Sequence, residues 1–387
     1  MTQSSPYTPG VVARSVPGRE EQLGFYEERA LLISELQQFI GRIRVEVAPR
    51  GMGKTSLLRQ AQKKMESNQI ATVWVTAGEE SDLLTTIYSE LRKLSSTWRG
   101  PAKTVLAESL ESVAASVSVP GLAKVEAKWV KSADTAASGA RQFEAVIRAA
   151  VIAAHDQKRT GVAIFVDEVQ SSDAASLRTI SYAWQHLQAE GQDVAVGLFT
   201  AGLPNSADEI TSKVTFSERF EFRQLHLIER EAVKLALALP AKKLGVNWTP
   251  DALEFAAGHA EGYPHKVQLI GEGSWAAAGK PDPGGQIENA DVIAGLVDAN
   301  DQMDNLYRTR WRNSASQERS FMLAMAELAT ESVLRADVAE SMEVSSGDLS
   351  VVRGRLIQKG FVEAAGRGKL SFTVPGFGDW LRNRLDE

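Results

Sequence analysis

Two short stretches of this 387-residue chain have the residue types and spacing to handle a polyphosphate. The first is Arg50-Gly51-Met52-Gly53-Lys54-Thr55-Ser56, which follows an apolar-alternating run ending at Val47 and leads into Leu57-Leu58. Strand, tight glycine loop and helix in that order bring backbone N–H groups and the positive end of a helix onto phosphate oxygens. Lys54 would reach the β- and γ-phosphates as a point charge, and the Thr55 hydroxyl would hold Mg²⁺. The pattern asks for glycine five residues before Gly53, where Ala48 stands. Alanine suits that place only if the backbone keeps φ negative.

The second stretch is VAIFV, 162–166, which ends in Asp167-Glu168. A buried strand of a parallel sheet presents such carboxylates at its carboxyl edge, where ligands of α/β folds bind. Asp167 would hold Mg²⁺ through water, and Glu168 would polarise the attacking water. Gln170 would either orient that water or lie on the surface.

The elements that must position these groups follow from periodicity. Residues 1–17, rich in Ser, Thr and Pro, read as a flexible arm. Apolar residues at helical spacing over 21–40 deliver the chain to the first strand, and a helix over 56–67 follows the loop. The continuous apolar run 70–76 suits a buried parallel strand, and 81–94 a further helix. Segment 101–140 reads as an insertion with weak helix signals, in which Val117, Val119, Val125 and Trp129 flank Pro120-Gly121 as a hairpin would. Helices are expected over 142–157 and 174–190, and a third buried strand over 193–200. Thr200, at the end of that strand, would either sense the γ-phosphate or cap a turn. Arg219 stands between aromatics in FSERFEF. It would either reach a neighbouring subunit's phosphates or pair with Glu218 or Glu221.

Past Leu227 helices dominate. Pro264 opens one of them and places His265 and Lys266 at its positive end, facing a phosphate. The last stretch reads as helix, helix, turn, helix and a hairpin around Gly366-Arg367-Gly368, the order of a winged helix-turn-helix. In that reading Ser346, Ser350, Arg353, Arg355 and Lys359 lie on or near the recognition helix, and Arg367 and Lys369 on the wing. Cations there would neutralise DNA phosphates while the serines reach base edges. Asp337, Glu340, Glu343 and Asp348 surround them, so docking of protein is the other reading.

Composition narrows the class. Hydrophobic content of 43% and charged content of 24% are those of a globular protein, and a formal charge of -6 excludes a surface coated for nucleic acid. With no cysteine and five scattered histidines, thiolate metal sites and disulfide frameworks are excluded. No apolar run has the length of a membrane span, so a cytoplasmic address and no membrane partner are expected.

The series RGMGKTSLL, GVAIFVDEVQ, LFTAGLP, FSERFEF, GYPHKVQLIGEGSW and LIQKGFVEAAGRGKLSFTVPGF resembles the bacterial and archaeal AAA-type ATPases that carry a C-terminal winged helix. These are relatives of the origin-recognition initiators and of the STAND signalling ATPases. The resemblance implies an α/β fold with an ASCE P-loop core over 18–224, an α-helical lid over 225–304 and a winged helix over 305–387. It implies ATP or ADP and Mg²⁺ as ligands, held by residues 50–56 with Pro264 and His265, the metal by Thr55 and Asp167. Glu168, Thr200 as sensor and Arg219 as intersubunit finger would act in hydrolysis. Initiators place an arginine where His265 stands, and Gly262-Tyr263-Pro264 looks like the GxP motif of STAND proteins.

The expected function is an ATPase whose nucleotide state switches a DNA-binding tail, assembling into a homo-oligomer with ATP. The alternatives are a signalling or defence scaffold whose tail docks protein, and an ATP-dependent filament on DNA acting in transposition or partition.

Overall fold

The computed structural model describes residues 3–78, 82–117, 132–214, 217–328 and 332–384. Five parallel strands form the central sheet: β1 (Ile43–Val47), β2 (Ile70–Thr76), β3 (Gly161–Asp167), β4 (Val196–Gly202) and β5 (Phe220–Gln224). Their order is β2-β3-β4-β1-β5. β1, β3 and β4 are buried along their whole length; β3 and β4 read as nearly continuous apolar runs, and β1 alternates because its buried Arg44 and Glu46 pair at 2.9 Å. Helix α1 (Glu20–Ser34) precedes β1 and α2 (Lys54–Ser67) follows it. The end of β1, where α2 begins, and the end of β3 therefore open on the same edge of the sheet.

Several expectations shift here. The first helix stops at Ser34 and not near residue 40, because Gln37 takes a left-handed φ of 52°. The strand expected over 193–200 starts at Val196, after a turn in which the Val194 N–H donates to the Gly191 carbonyl, and runs on to Gly202. Within the insertion, Pro101–Val117 and Ser132–Asp156 are helices. The expected hairpin lies almost wholly in 118–131, outside the described residues.

The expected flexible arm is instead docked. Tyr7 is fully buried, and its ring meets Trp248 and Trp275 edge-on. Its hydroxyl donates to the Leu237 carbonyl and accepts from Trp248 Nε1. A Ser- and Pro-rich composition signals weak local structure, and one buried aromatic overrides it through tertiary contact.

Helices Arg230–Lys243, Pro250–Ala260, Pro264–Ala277 and Asn289–Arg312 pack together over the residues expected as the lid. Beyond it come helix Ser316–Glu327, strand Val333–Leu334, helices Arg335–Ser341 and Leu349–Gln358, and strands Val362–Ala364 and Lys369–Phe372. The strands form an antiparallel sheet with Lys369–Phe372 in the middle. The tail is fixed to the rest by Arg310 of the long lid helix. This buried guanidinium donates to the Gly360 carbonyl at 3.3 Å and to Thr373 Oγ1 at 2.9 Å. Among the described residues, no helix is long and apolar enough to cross a membrane.

Candidate functional site

The loop between β1 and α2 takes its shape from two glycines, Gly51 and Gly53, both at φ 83°. Gly51 is required twice over, because a Cβ there would also lie 2.1 Å from the Tyr263 hydroxyl. That hydroxyl donates to the Arg50 carbonyl at 3.0 Å, and the His265 N–H donates to the Gly51 carbonyl at 3.1 Å. The first turn of the Pro264–Ala277 helix is thus tied to the phosphate loop. Ala48, the departure from the glycine pattern, is absent from the left-handed backbone positions and continues β1 by donating to the Gly202 carbonyl. Alanine carries no strain there.

Lys54 begins α2 with 6% of its surface exposed. Its ammonium donates to the Ala48 carbonyl at 2.8 Å and the Pro49 carbonyl at 3.1 Å. Burial pulls its pKa below the usual lysine value, against the opposing attraction of Glu168 and Asp167. Thr55 Oγ1 donates to Asp167 Oδ2 at 2.6 Å, so the loop and the acidic pair of β3 meet. Burial raises the Asp167 pKa, while the Thr55 bond and the Glu168 N–H work the other way. Glu168 holds a left-handed backbone (φ 54°), an uncommon conformation for a residue with a side chain.

The loop and Glu168 border a cavity of about 310 Å³, and Asp167 stands behind its wall, reached through Thr55. Residues 50–56 and Glu168 form one side, Pro264 and His265 another, and the arm with Val11, Val12 and Val16 a third. The cavity is therefore polar and cationic at the loop and apolar at the arm, and its size falls at the lower end for small-molecule sites. The arm is held there by Ser56 Oγ, which accepts from the Ala13 N–H at 3.0 Å. Gln60 Nε2 adds bonds to the Ala13 and Arg14 carbonyls. Ser56, expected among the phosphate ligands, thus anchors the arm. Arg19 is buried and donates to the Met52 carbonyl at 3.3 Å and the His226 carbonyl at 2.8 Å, bracing loop and lid linker together.

The donor set fits a magnesium–polyphosphate. The first N–H groups of α2 have no partner within the helix and face the cavity side of the loop. A hydroxyl and a carboxylate 2.6 Å apart are oxygen ligands of the kind Mg²⁺ shares with phosphates. Burial keeps the His265 imidazole below its ordinary pKa of 6.5.

Other expected site residues stand elsewhere. The Thr200 hydroxyl donates to the Arg44 carbonyl at 3.0 Å inside the sheet, in register with Val45 and Val166. It is buried two residues before the strand ends and does not border the cavity, so the sensor expectation fails on geometry. Arg219 precedes β5, whose first residue pairs with Ile43 at the start of β1. The phosphate loop lies beyond the other end of that strand, about 16 Å away at the usual rise per residue. Within its own chain Arg219 donates to the Gln188 side chain and cannot reach the loop. Lys266 pairs with Glu261 at 2.7 Å and does not line the cavity.

In the tail, Lys359 donates to Glu318 at 2.6 Å and to the Asn313 carbonyl at 2.9 Å, which removes it from the expected DNA contacts. Ser350, Arg355, Arg367 and Lys369 are exposed, and Ser346 and Arg353 are half-buried. Sequence reasoning missed Arg19, Tyr263 and the arm as parts of the site. The Gly262-Tyr263-Pro264 motif was the one available signal.

Residues 15–196 match the family model described as the AAA ATPase domain. Residues 304–381 match a domain of unknown function (DUF8462). Two solved structures share the fold along nearly the whole chain. A Walker-type ATPase of Pyrococcus abyssi aligns at TM-score 0.58 and 12% identity, over 97% of this chain and 98% of that one. The ORC2 protein of Aeropyrum pernix, solved as ADPNP–ADP complexes, aligns at TM-score 0.50 and 12% identity, over 99% and 98%. No curated protein matches. The shared fold extends beyond the AAA segment through lid and tail.

Proposed function

We propose that this AAA protein binds and hydrolyses ATP between its core and its lid, and that the bound nucleotide sets how the tail is held. The observation that carries this reading is the meeting of Thr55 with Asp167 at 2.6 Å beside Lys54, under a lid helix bonded to the same loop. In it the purine lies against the apolar arm, the phosphates against residues 51–55, and Lys54 leaves the Ala48 and Pro49 carbonyls for the β- and γ-phosphates. Thr55, and Asp167 through water, would hold Mg²⁺, which would neutralise charge on the phosphates. Glu168, which borders the cavity, accepts a proton from water as the water oxygen attacks the γ-phosphorus. The bond from that phosphorus to the β–γ bridging oxygen breaks, and ADP leaves. Arg219 would enter only from a neighbouring copy.

The route to the tail runs through the lid. Tyr263 bonds the phosphate loop, and Arg310 bonds the tail. A nucleotide moves such an equilibrium by its different affinity for the two arrangements. The tail's order of helices and antiparallel strands supports reading it as a winged helix. Arg353, Arg355, Arg367 and Lys369 are then its candidate DNA contacts. DNA held through several phosphates is released steeply as salt rises, and no retention at low salt would favour protein docking.

The test of the hydrolytic reading is Glu168→Gln. ATP affinity is expected to persist while turnover falls by about 10²-fold or more, the usual weight of a general base. Full turnover in that variant removes Glu168 from the mechanism.

A further inference from the structure

Gln170 follows Glu168 by two residues and is half-buried in the 3-10 turn Val169–Ser171. Its amide nitrogen donates to Glu168 Oε2 at 2.5 Å, and its amide oxygen accepts the Leu203 N–H at 3.0 Å. The Ser206 hydroxyl lies 3.4 Å from the same oxygen. The partners dictate which way the amide faces, because a carboxylate needs a donor and a backbone N–H needs an acceptor. Gly202 leaves the space for it, since a Cβ there would stand 2.7 Å from that oxygen. One side chain therefore spans the ends of β3 and β4, using a different end on each.

The helix Ser206–Lys213 that follows the loop after β4 has one bond to the tail. Gln358, at the end of the Leu349–Gln358 helix, lies 3.4 Å from Glu209, and a Cβ on Gly360 would touch Pro204 at 3.9 Å. We propose that Gln170 is a positioning residue for hydrolysis: its donor aims the Glu168 carboxylate, and its acceptor ties that aim to the loop that follows β4. This rests on the reading of Glu168 as the general base. Gln170 touches neither phosphate nor water, and acts through Glu168.

The two ends of the amide allow a direct test. Gln170→Ala removes both bonds, whereas Gln170→Glu keeps an acceptor for Leu203 and Ser206 and sets a second carboxylate against Glu168 in place of the donor. ATP affinity and steady-state turnover of the full chain are measured for the wild type and both variants. Positioning predicts unchanged ATP affinity and a fall in kcat of roughly ten- to a hundredfold in both, the scale on which small misplacements act. A loop-anchoring role alone predicts that Gln170→Glu restores wild-type kcat, and that result overturns the proposal. Equal loss of ATP affinity and kcat in the variants also overturns it, since a positioning residue moves kcat alone. A wild type that binds ATP without turning it over sinks the hydrolytic reading itself, and this inference with it.

Discussion

Replacing Tyr7 with alanine takes away the arm's main attachment and, with it, one wall of the nucleotide cavity. The ring is fully buried against Trp248 and Trp275, and its hydroxyl serves the Leu237 carbonyl and the Trp248 N–H. Truncating a buried aromatic costs about 3–5 kcal/mol. The other ties, among them Gln3 to the Pro281 carbonyl and Ala13 to Ser56, are neutral hydrogen bonds worth about 0.5–1.5 kcal/mol each. The docking equilibrium of the arm therefore shifts by roughly 10²-fold or more.

Arg14, exposed within the arm, gives a trypsin site that reports the undocked population. Cleavage there is expected to accelerate at least tenfold. ATP affinity falls in proportion to the fraction of molecules left competent. Tyr7→Phe, which keeps the packing and strands two buried polar groups, falls between, at about 1–3 kcal/mol. Unchanged cleavage at Arg14 together with unchanged ATP affinity in Tyr7→Ala would refute the assignment of the arm to the site.

Three further outcomes follow from the geometry. Gly51→Ala, strained by its φ of 83° and aimed at the Tyr263 hydroxyl, should lower stability by about 1–3 kcal/mol in thermal unfolding and weaken ATP binding. His265, depressed below 6.5 by burial, contributes stability that is present above that pH and lost as pH falls through its folded value. Because an anionic ligand favours the imidazolium, ATP affinity should rise as pH falls from 7 to 6, and His265→Gln should flatten that rise. Arg310→Met removes charged bonds to Gly360 and Thr373, each worth about 1.5–3 kcal/mol, so hydrogen exchange should speed up in 360–373 while the core sheet is unchanged.

Much of the core could be read from the chain because its signals are local. β3 announces itself by an apolar run, β1 by alternation and the loop before α2 by glycines beside a lysine, and the acidic pair sits where a buried strand must end. What could not be read is set by contacts distant in sequence. Tyr7 gains its place from tryptophans more than 200 residues away. Thr200 fails as a sensor because β4 runs on to Gly202, which leaves its hydroxyl inside the sheet and on Arg44. Lys359 looked like a phosphate contact until Glu318, on another helix, claimed its charge. Arg219 is the same kind of case, since strand register alone reveals that it opens β5 at the far edge from its own phosphate loop.

The central claim is that Lys54, Thr55 and Asp167 form one phosphate site. Equilibrium dialysis of ATP with Mg²⁺ against the wild type and Lys54→Ala tests it most directly. A charged hydrogen-bond donor is worth about 1.5–3 kcal/mol, so affinity should fall roughly ten- to a hundredfold. Equal ATP affinity in the two proteins would contradict the account.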